Sequence, residues 1–128
     1  MKLLYDTHLL LWAAGFPGRL PARARETLED PEVQPVFSAA SIWEIAIKQA
    51  LGRADFRAEP QELRRGLLEN DYEELAIDGR HAAAVGGLPS IHGDPFDRML
   101  IAQAQVEGMR LLTSDRILGE YPGPVEVV

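Results

Sequence analysis

Residues 94–115 read DPFDRMLIAQAQVEGMRLLTSD, a helical segment that passes through a single glycine into a short strand. Asp94 is the residue type of an N-cap, Pro95 suits the first helical position, and Gly108 ends a helix predicted over 95–107. Residues 110–113 then form a strand that stops at Ser114 and Asp115. The same alternation extends outward in both directions. Strands are predicted at 2–5, 36–38, 74–77 and 125–128, and helices at 7–14, 21–30, 41–51, 60–70 and 79–85, with a helical turn at 115–118. Strands alternating with helices predict an α/β fold, a parallel sheet covered on both faces. No repeat or linker interrupts it, and residues 52–59, the nearest thing to a hinge, are too few to separate domains.

The chain has 128 residues, 46% hydrophobic and 26% charged, which fits one domain over 1–128 with a core that needs no staples. With no cysteine, disulfides and thiolate metal sites are excluded. Thirteen basic residues stand against twenty acidic ones, a formal charge of −7. That balance argues against a general basic grip on nucleic acid and favours cationic partners, a metal ion or a basic protein segment. Asp6 and His8 break the apolar run near the start, which falls short of a signal sequence, and no stretch approaches the roughly 20 residues of a membrane span. A soluble, cytoplasmic domain without membrane association is expected.

Four carboxylates adjoin hydrophobic segments, where an unpaired charge is costly: Asp6, Glu44, Asp97 and Asp115. Asp6 follows the first strand, where it is either an N-cap or part of a site, because ligands of open α/β sheets sit beyond the carboxyl ends of the strands. Glu44 lies in the apolar helix 41–51 and reads as an i,i+4 partner of Lys48 or as one edge of a narrow polar stripe on a buried helix. Asp94 is expected to cap the last long helix while Asp97 projects from its first turn. Two other readings stay open, that both acids only cap and that Asp94 binds metal directly. Asp115 follows the fourth strand, where turn formation is the competing account.

If the first and fourth strands are neighbours, these acids meet at one end of the sheet, an arrangement that needs cations. Hard oxygen ligands suit Mg²⁺ or Mn²⁺, which activate water for displacement at phosphorus. Of the histidines, His8 is placed at the edge of the site and His81 on a helix surface; His8, His81 and His92 share no metal-pair spacing. No glycine-rich phosphate loop or serine elbow is present.

Four segments resemble the motifs of PIN-domain proteins, specifically the VapC-like toxins of type II toxin–antitoxin pairs: LYDTHLLLW (4–12), SAASIWEIAIK (38–48), DPFDRMLIAQA (94–104) and LLTSD (111–115). The resemblance implies a parallel sheet of order 3-2-1-4-5 and a divalent-metal-dependent endoribonuclease. It carries the family's acidic quartet onto Asp6, Glu44, Asp97 and Asp115, with Asp94 outside it. Thr7, Ser38 and Thr113 match polar positions near the site, and Lys48, Arg98 and Arg116 are the candidates for local RNA contact. It also implies a homodimer and a small antitoxin whose basic C-terminal segment enters the acidic groove.

Two rival readings are a haloacid-dehalogenase-type phosphatase and a non-catalytic binding module of the same fold. The phosphatase needs a second aspartate two residues after Asp6, where His8 stands. Metal-dependent RNA cleavage would distinguish an enzyme from the module.

Overall fold

The computed structural model describes residues 1–128. Five strands, β1 (Lys2–Tyr5), β2 (Gln34–Ser38), β3 (Glu73–Leu75), β4 (Arg110–Thr113) and β5 (Val125–Val127), form one sheet of order β3-β2-β1-β4-β5. Every pairing is parallel, with Leu4 opposite Val36 on one side and Leu111 on the other. Six helices connect and flank the strands: α1 (Thr7–Gly15), α2 (Ala22–Glu29), α3 (Ala39–Ala50), α4 (Pro60–Glu69), α5 (Gly79–Val85) and α6 (Pro95–Glu107).

The period-two alternation of the strands divides the core into two layers. Leu3, Tyr5, Phe37 and Leu112 face α1, α2 and α4, packing with Leu9, Leu10, Ala24 and Leu63. Leu4, Val36 and Leu111 face the opposite way, onto Leu100, Ile101 and Ala104 of α6. Each of the buried valine, leucine, isoleucine and phenylalanine side chains contributes about 1.5–3 kcal/mol by leaving water. The chain runs outward from β1 through β2 to β3 on one side and from β4 to β5 on the other. The crevice at the carboxyl ends of β1 and β4 is therefore the point where strand order reverses.

Several expectations need correction. His81 is not on a helix surface; it is 1% exposed. Its Nδ1 accepts the Asp78 backbone N–H at 3.1 Å, closing a capping box for α5, and its Nε2 meets Glu107 Oε2 at 2.8 Å. The short helix α5 lies on α6 through this face, so the polar residue is inside. The helix carrying Glu44 is also oriented differently from the reading of a buried helix with a narrow polar stripe. Ser41, Glu44 and Ile45 are buried, whereas Trp43, Ala46 and Ile47 are exposed. Counting apolar residues around α3 could not tell which side faced the protein.

Boundaries move slightly. Helix α3 starts two residues earlier than expected, with Ser38 as its cap, and Pro21 precedes α2 instead of opening it. The third strand shifts to Glu73–Leu75 and the turn after β4 to Arg116–Glu120. Within residues 52–59, a 3-10 turn at Ala54–Phe56 buries Phe56 completely, which anchors the segment to the core.

Candidate active site

Asp6 lies immediately beyond β1 and is only 4% exposed. Its Oδ1 accepts the Leu9 N–H at 2.9 Å, so it caps α1. Its Oδ2 accepts from Thr113 Oγ1 at 2.5 Å and from the Ser114 N–H at 3.1 Å, across the crevice on the β4 side. Burial pushes the Asp6 carboxyl up, against the pull of the hydrogen bonds from Thr113, Leu9 and Ser114. Thr113 also accepts the Asp115 N–H at 3.0 Å, and Asp115 Oδ1 caps the following turn through the Ile117 N–H at 2.9 Å. The capping and turn roles of these acids are thus real, and Thr113 links the two.

The opposite wall comes from α3 and α6. Glu44, 3% exposed, has both oxygens engaged: Thr7 Oγ1 donates to Oε1 at 2.5 Å and Lys48 Nζ to Oε2 at 2.6 Å. Asp94 caps α6 with Oδ1, which accepts the N–H groups of Phe96 at 2.8 Å and Asp97 at 3.2 Å. Its Oδ2 accepts from Lys48 at 2.9 Å.

Asp97 stands between these walls. Its carboxylate comes within 4.8 Å of ligand atoms of Glu44 and Asp94 on one side and of His92 and Asp115 on the other. Burial, then the charges of Asp94, Glu44 and Asp6, push its carboxyl up to about 8, with Lys48 opposing. The cost of that charge makes the pocket receptive to a cation, and its oxygen donors suit Mg²⁺ or Mn²⁺.

The accessory residues separate into those at the site and those elsewhere. Thr7, Thr113 and Lys48 hold the acids directly. Arg116 is exposed at the start of the turn after Asp115. His8 turns away, its Nε2 3.3 Å from Asp55 and its ring against Phe56 and Trp12. Ser38 caps α3 and donates to Gln103 Oε1 at 2.5 Å, inside the core.

Arg98 is not free for RNA. Its guanidinium donates to the carbonyls of Pro89 at 2.8 Å and Val85 at 3.3 Å and to the Tyr121 hydroxyl at 3.2 Å. It clamps the loop before α6. Arg98→Ala is expected to lower stability by roughly 1–3 kcal/mol in denaturant titration, by leaving these acceptors unmatched. Arg98→Lys restores only part of the loss, because a single ammonium cannot span them.

His92 is the residue that helical-spacing rules missed. Its Nδ1 accepts the Asp94 N–H at 3.0 Å, so the ring proton is on Nε2, which faces Asp115 Oδ2 at 3.4 Å and Asp97 Oδ2 at 3.9 Å. In that tautomer the Nε2–H lies on the Asp115 side without completing a hydrogen bond, and the ring has no lone pair for a metal. The readable signal was local: a histidine two residues ahead of a helix cap can bond that cap's own N–H.

This sheet order and acidic crevice define a class. The chain belongs to the PIN domain family, whose model matches residues 3–124. Within the family it is similar to Ribonuclease VapC22 of Mycobacterium tuberculosis, 32% identical over 128 residues covering 98% of this chain and 97% of that protein. Its fold is shared with VapBC2 from Rickettsia felis bound to a DNA fragment from its promoter (TM-score 0.75, 14% identity, 100% of this chain and 99% of that one). It is shared also with DNA-bound VapBC from Salmonella typhimurium (TM-score 0.68, 18% identity, 99% and 98%).

Proposed function

We propose that this protein is a divalent-metal-dependent endoribonuclease, the toxin of a toxin–antitoxin pair, with Asp6, Glu44, Asp97 and Asp115 as its acidic site. The observation that carries this reading is Asp97, a carboxylate with no hydrogen-bond donor to its side chain, set among other acids at the strand-order reversal. The similarity to Ribonuclease VapC22 supports RNA as the substrate. Asp6, Asp97 and Asp115 would hold Mg²⁺ or Mn²⁺, while Glu44 acts through Thr7 and Lys48. When bound, such an ion activates water and offsets charge on the phosphodiester. The Ile117 N–H holds Asp115 in place with His92 beside it, and exposed Arg116 is the cation available to a phosphate. Purified protein is expected to cleave RNA with Mg²⁺ or Mn²⁺ and to stop in EDTA; undiminished cleavage in EDTA would overturn the reading.

Metal affinity carries its own signature. Asp97 gives up a proton when a cation binds, so apparent affinity for Mn²⁺ is expected to rise about tenfold per pH unit up to about 8 and then level off. Calorimetry across that range, in buffers of different ionisation enthalpy, measures both slope and proton release.

The partner is a small antitoxin whose basic C-terminal segment places an Arg or Lys among Asp6, Asp97 and Asp115. The VapBC neighbours and the net charge of −7 support it. A guanidinium matches carboxylates bidentately at the position a hydrated ion would take. A homodimer is supported by the exposed apolar residues Trp43, Ile47 and Leu51. Light scattering at micromolar concentration is expected to give twice the chain mass, and Trp43→Glu to halve it.

A further inference from the structure

The acids of the site form two groups that share Asp97, and only one of them is open. Asp97 and Asp115 flank one side. On the other, the Lys48 ammonium sits 2.6 Å from Glu44 Oε2 and 2.9 Å from Asp94 Oδ2. The Lys48 side chain is 15% exposed, and its Nζ lies 4.8 Å from the centroid of the Phe56 ring and 5.7 Å from that of Phe96. Two carboxylates and two aromatic rings thus surround this one positive charge, which is how a cation site is built.

We propose that the Lys48 ammonium is the resident cation of the Glu44–Asp94–Asp97 group, so that the chain takes up a single divalent ion and uses a lysine where a second ion would otherwise bind. The proposal rests on the metal-dependent reading of the site. Glu44 Oε2 and Asp94 Oδ2 already share a full positive charge, which no hydrogen-bonding hydroxyl or N–H elsewhere in the crevice supplies. An incoming divalent ion on that side would have to displace the ammonium and then sit beside its charge in a poorly screened pocket. The side of Asp97 and Asp115 has no lysine or arginine within salt-bridge distance; its basic neighbour is the imidazole of His92, 3.4 Å from Asp115 Oδ2 and 3.9 Å from Asp97 Oδ2, and it stays open for the one ion.

The test is the stoichiometry of Mn²⁺ binding, by calorimetry and by the electron paramagnetic resonance of the bound ion. Wild type is expected to bind one Mn²⁺ per chain. Lys48→Met keeps the length of the side chain without its charge and is expected to bind two, with the spin–spin broadening of a close pair. Lys48→Arg is expected to stay at one. Two ions in wild type, or one in folded Lys48→Met, would overturn the proposal while leaving metal dependence intact. No binding by wild type would overturn both readings together. Should Lys48→Met fail to fold, the ¹⁵N signal of the wild-type Lys48 ammonium decides. It is expected to persist at saturating Mg²⁺ with its proton exchange still slow, and release of Lys48 to fast exchange on metal binding would overturn the proposal.

Discussion

Asp97→Asn is expected to abolish RNA cleavage and, in the same protein, to raise stability. Activity should fall at least 100-fold, beyond the range that changes around a metal ligand reach. The stability gain follows from the raised carboxyl. In the unfolded chain Asp97 ionises near 3.8, and in the metal-free fold only at about 8. Between those values the folded state binds a proton that the unfolded state has lost, so stability declines as pH rises from about 4 to 8. Asparagine removes that decline. The variant should match wild type near pH 4 and exceed it by at least about 1 kcal/mol at pH 8, a rise in Tm of roughly 3–6 °C at this chain length. Thermal unfolding in EDTA at several pH values measures it, and a Tm difference that does not grow with pH would refute the account.

Asp6→Asn is also expected to lower RNA cleavage, without the same gain in stability. Its two oxygens are not equivalent to those of Asp97, because three donors already point at them: the Leu9 N–H, the Ser114 N–H and the Thr113 hydroxyl. An asparagine can turn its oxygen toward α1 or toward β4, and its NH₂ then meets a backbone N–H on the other side. Relief of buried charge is offset by that clash of donors, which costs about 1–3 kcal/mol. Cleavage and Mn²⁺ affinity are both expected to drop by at least 10–100-fold. A calorimetric titration showing wild-type affinity in Asp6→Asn would remove Asp6 from the metal site.

The alternation of strands and helices was legible in the residues, the strand order only through the resemblance to PIN-domain motifs, and the helix ends through their caps, as at Asp94, Pro95 and Gly108. The sequence put Asp6 and Asp115 at strand ends because Asp6 follows an apolar strand directly and Asp115 follows one after a single serine. The orientation of α3 was not legible, since its apolar residues surround the helix and the choice of inward face depends on Thr7 and Asp94, both distant in sequence. His81 was misread for a related reason: its burial comes from Glu107, 26 residues away. Arg98 looked like a free cation because backbone carbonyls, which no sequence displays, take up its donors.

The caps have a collective effect on the electrostatics of the crevice. Asp6 opens α1, Ser38 opens α3 and Asp94 opens α6, so three helices begin at the carboxyl end of the same sheet. Each aligned row of peptide dipoles presents roughly half a positive charge at its first turn. The scaffold therefore supplies a fixed positive field, made entirely of backbone, in the region where the carboxylates crowd. Unlike a side chain, that field cannot be deleted by a point mutation or neutralised by pH. It tempers the repulsion among the acids, and on the proposed reading of the site it favours the approach of an anionic group to the same crevice.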